Sequence, residues 1–359
     1  RVRQLHAGKK QAPLWPIERA RANKARIDWG NYTPPVPKFI GRRVFQHIEL
    51  AGLLPFIDWT PFFQTWDLAG KYPAILNDEV VGQEARRVFQ DAQTMLKKIV
   101  DGRWLTANAV VGFWPANSVH DDDIELYADE ARQHVVLTWH GLRQQSEKQE
   151  DAAGQLRPSR CLADFVAPRN AIDSVADGAC QSGSGGQNAF KDYLGAFAVT
   201  AGIGVEDKVA EFMAAHDDYS AITLKALADR LAEACAEWLH HRVRTDLWGY
   251  AADEGLSNEE LIAERYRGIR PAPGYPACPD HSVKRPLFEL LRTQEIGMGL
   301  TESYAMTPPA SVSGFYFSHP QSSYFNVGRI DMTQVADMAA RRGMAPAALE
   351  RLLAPNLGL

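Results

Sequence analysis

Cysteine is scarce and scattered in this 359-residue sequence: Cys161, Cys180, Cys235 and Cys278 lie far apart with no CxxC spacing. That argues against a Cys-rich zinc site or a disulfide framework and points to a reducing, cytoplasmic compartment. Long apolar runs are missing too. The longest candidate, residues 193–205, is broken by glycines and falls short of the roughly 18 residues a membrane span requires. There is no signal peptide and no internal repeat, and the chain opens on Arg1 without an initiator Met, as a piece of something longer would. What is present is ordinary for a folded protein: 45% hydrophobic, 23% charged and 10% aromatic residues. Disordered, collagen-like and coiled-coil classes are thereby excluded, and the length allows one large domain or two ordinary ones.

The net charge of −5 conceals an asymmetry. Residues 1–30 carry eight basic side chains against Glu18 and Asp28, a local +6 that leaves −11 for the rest. A basic arm suits nucleic acid or membrane, but this one lacks the aromatic interleaving or amphipathic stripe that would support either. It reads as an exposed interdomain linker over residues 1–28, with the folded domain spanning 29–359. The acidic body argues against a polyanionic partner, so neither nucleic acid nor membrane is expected.

Periodicity sets out the elements. Residues 43–50, 109–114, 123–127, 134–139, 162–166, 193–200, 311–317 and 324–330 read as strands. Helices are expected over 77–100 and 219–247, the latter with Leu224, Leu227, Leu231, Ala234 and Trp238 as its buried stripe. A capping box at Ser257-Asn258-Glu259-Glu260 opens a short helix running to Tyr266. Further helices cover 287–294, 333–342 and 346–353. Strands and helices do not alternate regularly, so the fold class is α+β rather than doubly wound. The glycine cluster at 182–186 lacks the order and the lysine of a phosphate loop and reads as a surface loop.

Several constellations bear on chemistry. Asp229, Glu233 and Glu237 follow at i, i+4 and i+8 on one helix face. Such a row is either a solvated face or a site for a cation, because three like charges repel unless something positive meets them. The stretch 270–279 holds four prolines around Gly274, which forbids helix and central strand and holds the backbone extended. It is a rigid crossover or a flat platform for a ligand, and Arg270 at its start has the fork to clamp a carboxylate. His120 with Asp121, Asp122 and Asp123, and Asp280 with His281, lack the spacing of a metal site. Cys278 has no base beyond His281, and no GxSxG elbow exists, so hydrolase chemistry lacks its parts.

Arg270-Pro-Ala-Pro-Gly-Tyr-Pro-Ala-Cys-Pro-Asp-His281 resembles the signature of the C-terminal, S-adenosylmethionine-binding activation domain of cobalamin-dependent methionine synthase. Asp58-Trp-Thr-Pro-Phe-Phe63, Cys161-Leu-Ala-Asp-Phe-Val-Ala-Pro168, Tyr193-Leu-Gly-Ala-Phe-Ala-Val-Thr200, His216-Asp-Asp-Tyr219 and Tyr316-Phe-Ser-His-Pro320 match in the family's order, over about residues 28–359. The resemblance implies one domain with a central antiparallel sheet flanked by helices. It implies a reactivation module of a methyltransferase. On that resemblance S-adenosylmethionine would be bound here and its methyl group would pass to inactive cobalamin held by a neighbouring domain, with an electron from a flavodoxin or flavoprotein reductase. Zinc belongs only to other modules. By motif, Arg270 would hold the ligand's carboxylate, Ala272 and Gly274 would let the nucleoside lie against the backbone, and Asp58, Tyr324 and Phe325 would contact it. Glu233 and Glu264 would lie near its cationic end, while Asp229 and Tyr275 would face the cobalamin domain. The rival expectation is a docking module that keeps the fold and has lost the ligand.

Overall fold

The two longest strands carry apolar residues almost without interruption because both of their faces are covered. The structure is a computed structural model that describes residues 13–169 and 190–357; the glycine cluster at 182–186 lies outside these. Strand β1 (Gly41–Ile48) is followed by β2 (Thr106–Val119), β3 (Asp123–Tyr127), β4 (Val135–His140), β5 (Asp192–Ile203), the short pair β6 (Gly299–Leu300) and β7 (Met306–Thr307), and β8 (Ser311–Tyr316). Among the described residues the main sheet has six strands in the order β4-β3-β2-β5-β8, with β1 also on β2, and every pairing is antiparallel.

Alternation sorts the side chains of β2 and β5 between two cores. Ala109, Val111 and Phe113 of β2 and Phe197, Val199 and Ala201 of β5 point into one. Val110, Trp114 and Ala116, with Leu194, Ala196 and Ala198, point into the other. Among the described residues ten α-helices run α1 (Ile17–Ala22), α2 (Thr60–Gln64), α3 (Gly82–Asp101), α4 (Val205–Ala214), α5 (Asp218–Arg242), α6 (Asn258–Ile262), α7 (Lys284–Leu291), α8 (Met332–Arg341), α9 (Pro346–Leu352) and α10 (Ala354–Leu357). The expected stripe of α5 fills the first core and α7 the second, while α8 and α9 form a third cluster with Leu142, Val327 and Ile330. This is the expected α+β architecture, with a central antiparallel sheet between helices.

Four local expectations change. Residues 162–166 form a 3-10 turn, Leu162–Phe165, because the Asp164 carboxylate accepts the Cys161 amide and ties down the turn. Residues 324–330 form no strand; Val327 and Ile330, three apart, are buried against α8 and α9, so their apolar character records burial of an irregular segment rather than a ladder. The helix expected from 77 begins at Gly82, since Asp78 turns its carboxylate onto the amides of Val80 and Val81 at 2.8 and 2.9 Å. The helix expected to reach Tyr266 ends at Ile262, and Glu264 follows with φ +55°.

Nor does the described part of the basic arm stand free. Trp15 is 4% exposed, and Ile17 and Ala20 are equally buried. Arg21 pairs with Asp122 at 2.8 Å and with Asp337 at 2.6 Å, and Lys24 with Asp121 at 3.1 Å. Residues 13–28 thus pack on the body through buried Trp15, Ile17 and Ala20 and through the ion pairs of Arg21 and Lys24.

Candidate functional site

The proline-rich stretch runs along the edge of the sheet. Ile269 exchanges backbone hydrogen bonds with Phe317, and Pro271 accepts the Phe315 amide at 3.0 Å, laying the stretch beside β8. Gly314 makes that approach possible, because a β-carbon there would lie 2.5 Å from the Pro271 carbonyl oxygen. The α6 capping box, with Ser257 and Glu260 satisfying each other's backbone, fixes a second wall. Asn258 then donates to the Ile57 carbonyl at 3.2 Å and holds the turn carrying Asp58.

Between these walls and α5 lies a groove made of two adjoining hollows of ≈ 490 and ≈ 300 Å³. The larger is walled by Ala272, Tyr275, Pro276, Ala277, Val312, Tyr324, Phe325 and Asn326. The smaller is walled by Asp58, Arg230, Glu237 and the α6 side chains Leu261 and Ile262. Glu233, Glu264, Tyr266 and Arg270 border both, so one guanidinium stands where a mainly apolar slot meets an acidic recess.

Arg270 is tightly set. Its backbone N–H donates to the Tyr324 hydroxyl at 2.9 Å, and that hydroxyl lies 3.1 Å from the hydroxyl of Tyr266. Its Nη2 donates to Glu237 Oε2 at 3.2 Å. Burial is the largest influence and pulls the guanidinium's pKa down, but Glu237 together with Tyr266, Tyr324 and Glu233 outweighs it and the net shift is upward, so Arg270 stays charged. Burial raises the Glu264 carboxyl, opposed by Arg270 and reinforced by Glu237. Burial likewise raises the phenols of Tyr266 and Tyr324, which stay neutral and able to donate.

The row on α5 is graded from floor to rim. Glu237 is 7% exposed, Glu233 half-buried, and Asp229 exposed and outside both hollows. Tyr275, 59% exposed, stands at the rim. The structure thus brings Asp58, Glu233, Glu264, Arg270, Ala272, Tyr275, Tyr324 and Phe325 into one groove. Gly274 does not line it. Its φ of +95° and the His281 ring, which stands where a β-carbon would sit, make it a turn glycine under the platform. Sequence reasoning left Glu237 among possible solvated charges and missed Tyr266. The i+4 spacing was a signal for the first; nothing marked the second.

Other candidates are committed elsewhere. Asp122 pairs with Arg21 and the fully buried Arg143, and Asp123 with Arg341 and His140. Among the described residues no three His, Cys, Asp or Glu side chains gather as a metal-binding set. Burial pushes the Cys278 thiol up to about 12, so it is no nucleophile. No helix among the described residues is long and apolar enough to cross a membrane.

A sequence profile described as "Vitamin B12 dependent methionine synthase, activation domain" matches residues 49–343. The chain belongs to this family. The activation domain also superposes on the crystal structure of a MetH reactivation domain bound to AdoHcy, with a TM-score of 0.87 and 52% sequence identity. That match covers 97% of this chain and 99% of the other. An activation domain of methionine synthase is the reactivation module of a methyltransferase.

Proposed function

We propose that this chain binds S-adenosylmethionine in the groove and presents its methyl group to cobalamin carried by a neighbouring domain. The observation that carries the reading is the placement of Arg270 between an apolar slot and a recess with surplus carboxylates. A ligand with one carboxylate, a flat nucleoside and a net cationic end fits all three features. The Arg270 fork takes the carboxylate. Ala272, Ala277 and Phe325 offer low walls for the nucleoside. Glu233 and Glu264 face the ammonium and sulfonium, where attraction is strengthened by partial exclusion of water. The related domain crystallised with AdoHcy supports the same ligand class here.

The chain's part in the transfer is positioning and electrostatics. Cobalamin is the substrate, brought by another domain; once reduced, its cobalt accepts the methyl group as the sulfonium carbon–sulfur bond breaks, leaving S-adenosylhomocysteine in the groove. The exposed Tyr275, Pro276 and Asp229 at the rim form the face on which that domain would close. The electron would come from a flavodoxin or flavoprotein reductase. Titration calorimetry of the isolated chain with S-adenosylmethionine and S-adenosylhomocysteine tests the reading. Saturable one-to-one binding of both is expected; absence of heat with either overturns it in favour of a docking module.

A further inference from the structure

We propose that Glu237 is a positioning residue for Arg270: it orients the guanidinium toward an α-amino-acid carboxylate and so sets the groove's preference for nucleosides that carry an amino-acid tail. The inference rests on the function proposed above.

A closed circuit of side chains surrounds Arg270. The Arg270 backbone N–H donates to Tyr324, whose hydroxyl meets that of Tyr266. The guanidinium of Arg244 lies over the Tyr266 ring, 4.5 Å from its centroid. Arg244 reaches Glu237 Oε1 at 3.4 Å, and Glu237 Oε2 returns to Arg270 Nη2 at 3.2 Å. One connected set therefore holds both the backbone and the head of Arg270. Among the described residues, the bond to Glu237 is the one hydrogen bond its side chain makes, because Nε is buried without a partner.

The geometry also shows what Glu237 is not needed for. Arg244 is already neutralised by Glu254, with its Nε 2.9 and 3.0 Å from the two carboxylate oxygens and Nη2 at 2.8 Å. Its contacts to Glu237, 3.4 and 3.5 Å, are longer than the one Glu237 makes to Arg270. Arg244 and Glu254 are thus a preformed buttress, and the Glu237 carboxylate between them and the groove is directed to Arg270. A guanidinium has five N–H donors, so Arg270 can keep Glu237 while its free edge takes the ligand. Holding the long side chain beforehand removes rotamer freedom that binding would otherwise have to freeze.

The test compares two probes on the same chain: S-adenosylhomocysteine, which has the amino-acid tail, and 5′-methylthioadenosine, which lacks it. Glu237→Gln is expected to weaken S-adenosylhomocysteine about tenfold while leaving 5′-methylthioadenosine within about twofold of the parent. Glu237→Asp keeps the charge on a shorter stem and is expected to fall between; it answers the same question if the Gln variant does not fold. Equal losses for both probes, unchanged affinity for S-adenosylhomocysteine, or tighter binding overturn the inference. A parent chain that binds neither probe overturns the proposed function, and this inference with it. A parent that binds both and ignores Glu237 overturns the inference alone.

Discussion

The hydroxyl of Tyr324 accepts the backbone N–H of Arg270 at 2.9 Å, across 54 residues of sequence. The bond joins the irregular segment after β8 to the proline-rich platform, so the side chain facing the ligand and the wall opposite it move as one piece. Tyr324→Phe removes one hydrogen bond from a partly buried amide. We expect about 1 kcal/mol of lost stability and several-fold weaker S-adenosylhomocysteine binding, read by denaturant melts and calorimetry. Arg270→Ala should reduce that affinity by about 100-fold or more, since a charged bidentate contact is lost. Near-parental affinity in Arg270→Ala would place the ligand's carboxylate elsewhere.

Gly274 holds the platform's turn. Alanine there meets both a φ of +95° and the His281 ring. The expected destabilisation is about 2 kcal/mol or more, with weaker ligand binding as a consequence of a displaced loop. A melting temperature equal to the parent's would mean that the ring swings aside freely.

Asp229 is one helical turn outward from Glu233 and lies outside the groove. Asp229→Ala should leave affinity for S-adenosylhomocysteine within about twofold, because an exposed carboxylate is well screened. The same variant, joined to its cobalamin-bearing partner domain, should reactivate more slowly. An equal loss of ligand affinity would assign Asp229 to the groove instead.

His319 is expected to make the fold acid-sensitive. It packs against the rings of Trp29 and Tyr32, accepts the Gln321 amide on Nδ1 at 3.1 Å, and lies near the Arg267 guanidinium. Burial first, then Arg267, lowers its pKa from 6.5 to about 4. The unfolded chain then binds more protons between these values, so stability is fully present above about pH 6.5 and falls as pH drops toward 4. The loss from this group is on the order of 2–3 kcal/mol. His319→Phe keeps the ring packing and should flatten that part of the curve; an unchanged acid limb would assign the sensitivity to another group.

Arg21 ties the arm to the body through Asp122 and Asp337. Arg21→Ala leaves Asp122 with Arg143 but strips Asp337 of one partner and releases α1. A loss of about 1–3 kcal/mol is expected in denaturant melts, together with faster proteolysis before residue 29. No change in either would show that Trp15 and its neighbours dock the arm unaided.

Much was legible in the residues themselves. The apolar runs of β2 and β5, the leucine stripe of α5 and the capping box at Ser257 determined their elements, because propensity, capping and periodicity act over a few residues. The motif order around Arg270, Asp58 and Tyr324 determined the family and most of the groove. What needed the tertiary structure was every question of partner. Burial makes Val327 and Ile330 apolar without any ladder for their segment to join. Net charge could not say that the basic arm would be neutralised by Asp122 and Asp337. Spacing put Glu237 on a helix face, but whether that face met water or two arginines depended on residues 244 and 270, brought there by the single π-helical turn Val243–Leu247 that follows α5 and by the platform beside β8. A side chain's chemistry is written in the sequence; its electrostatic surroundings exist only once distant segments have packed.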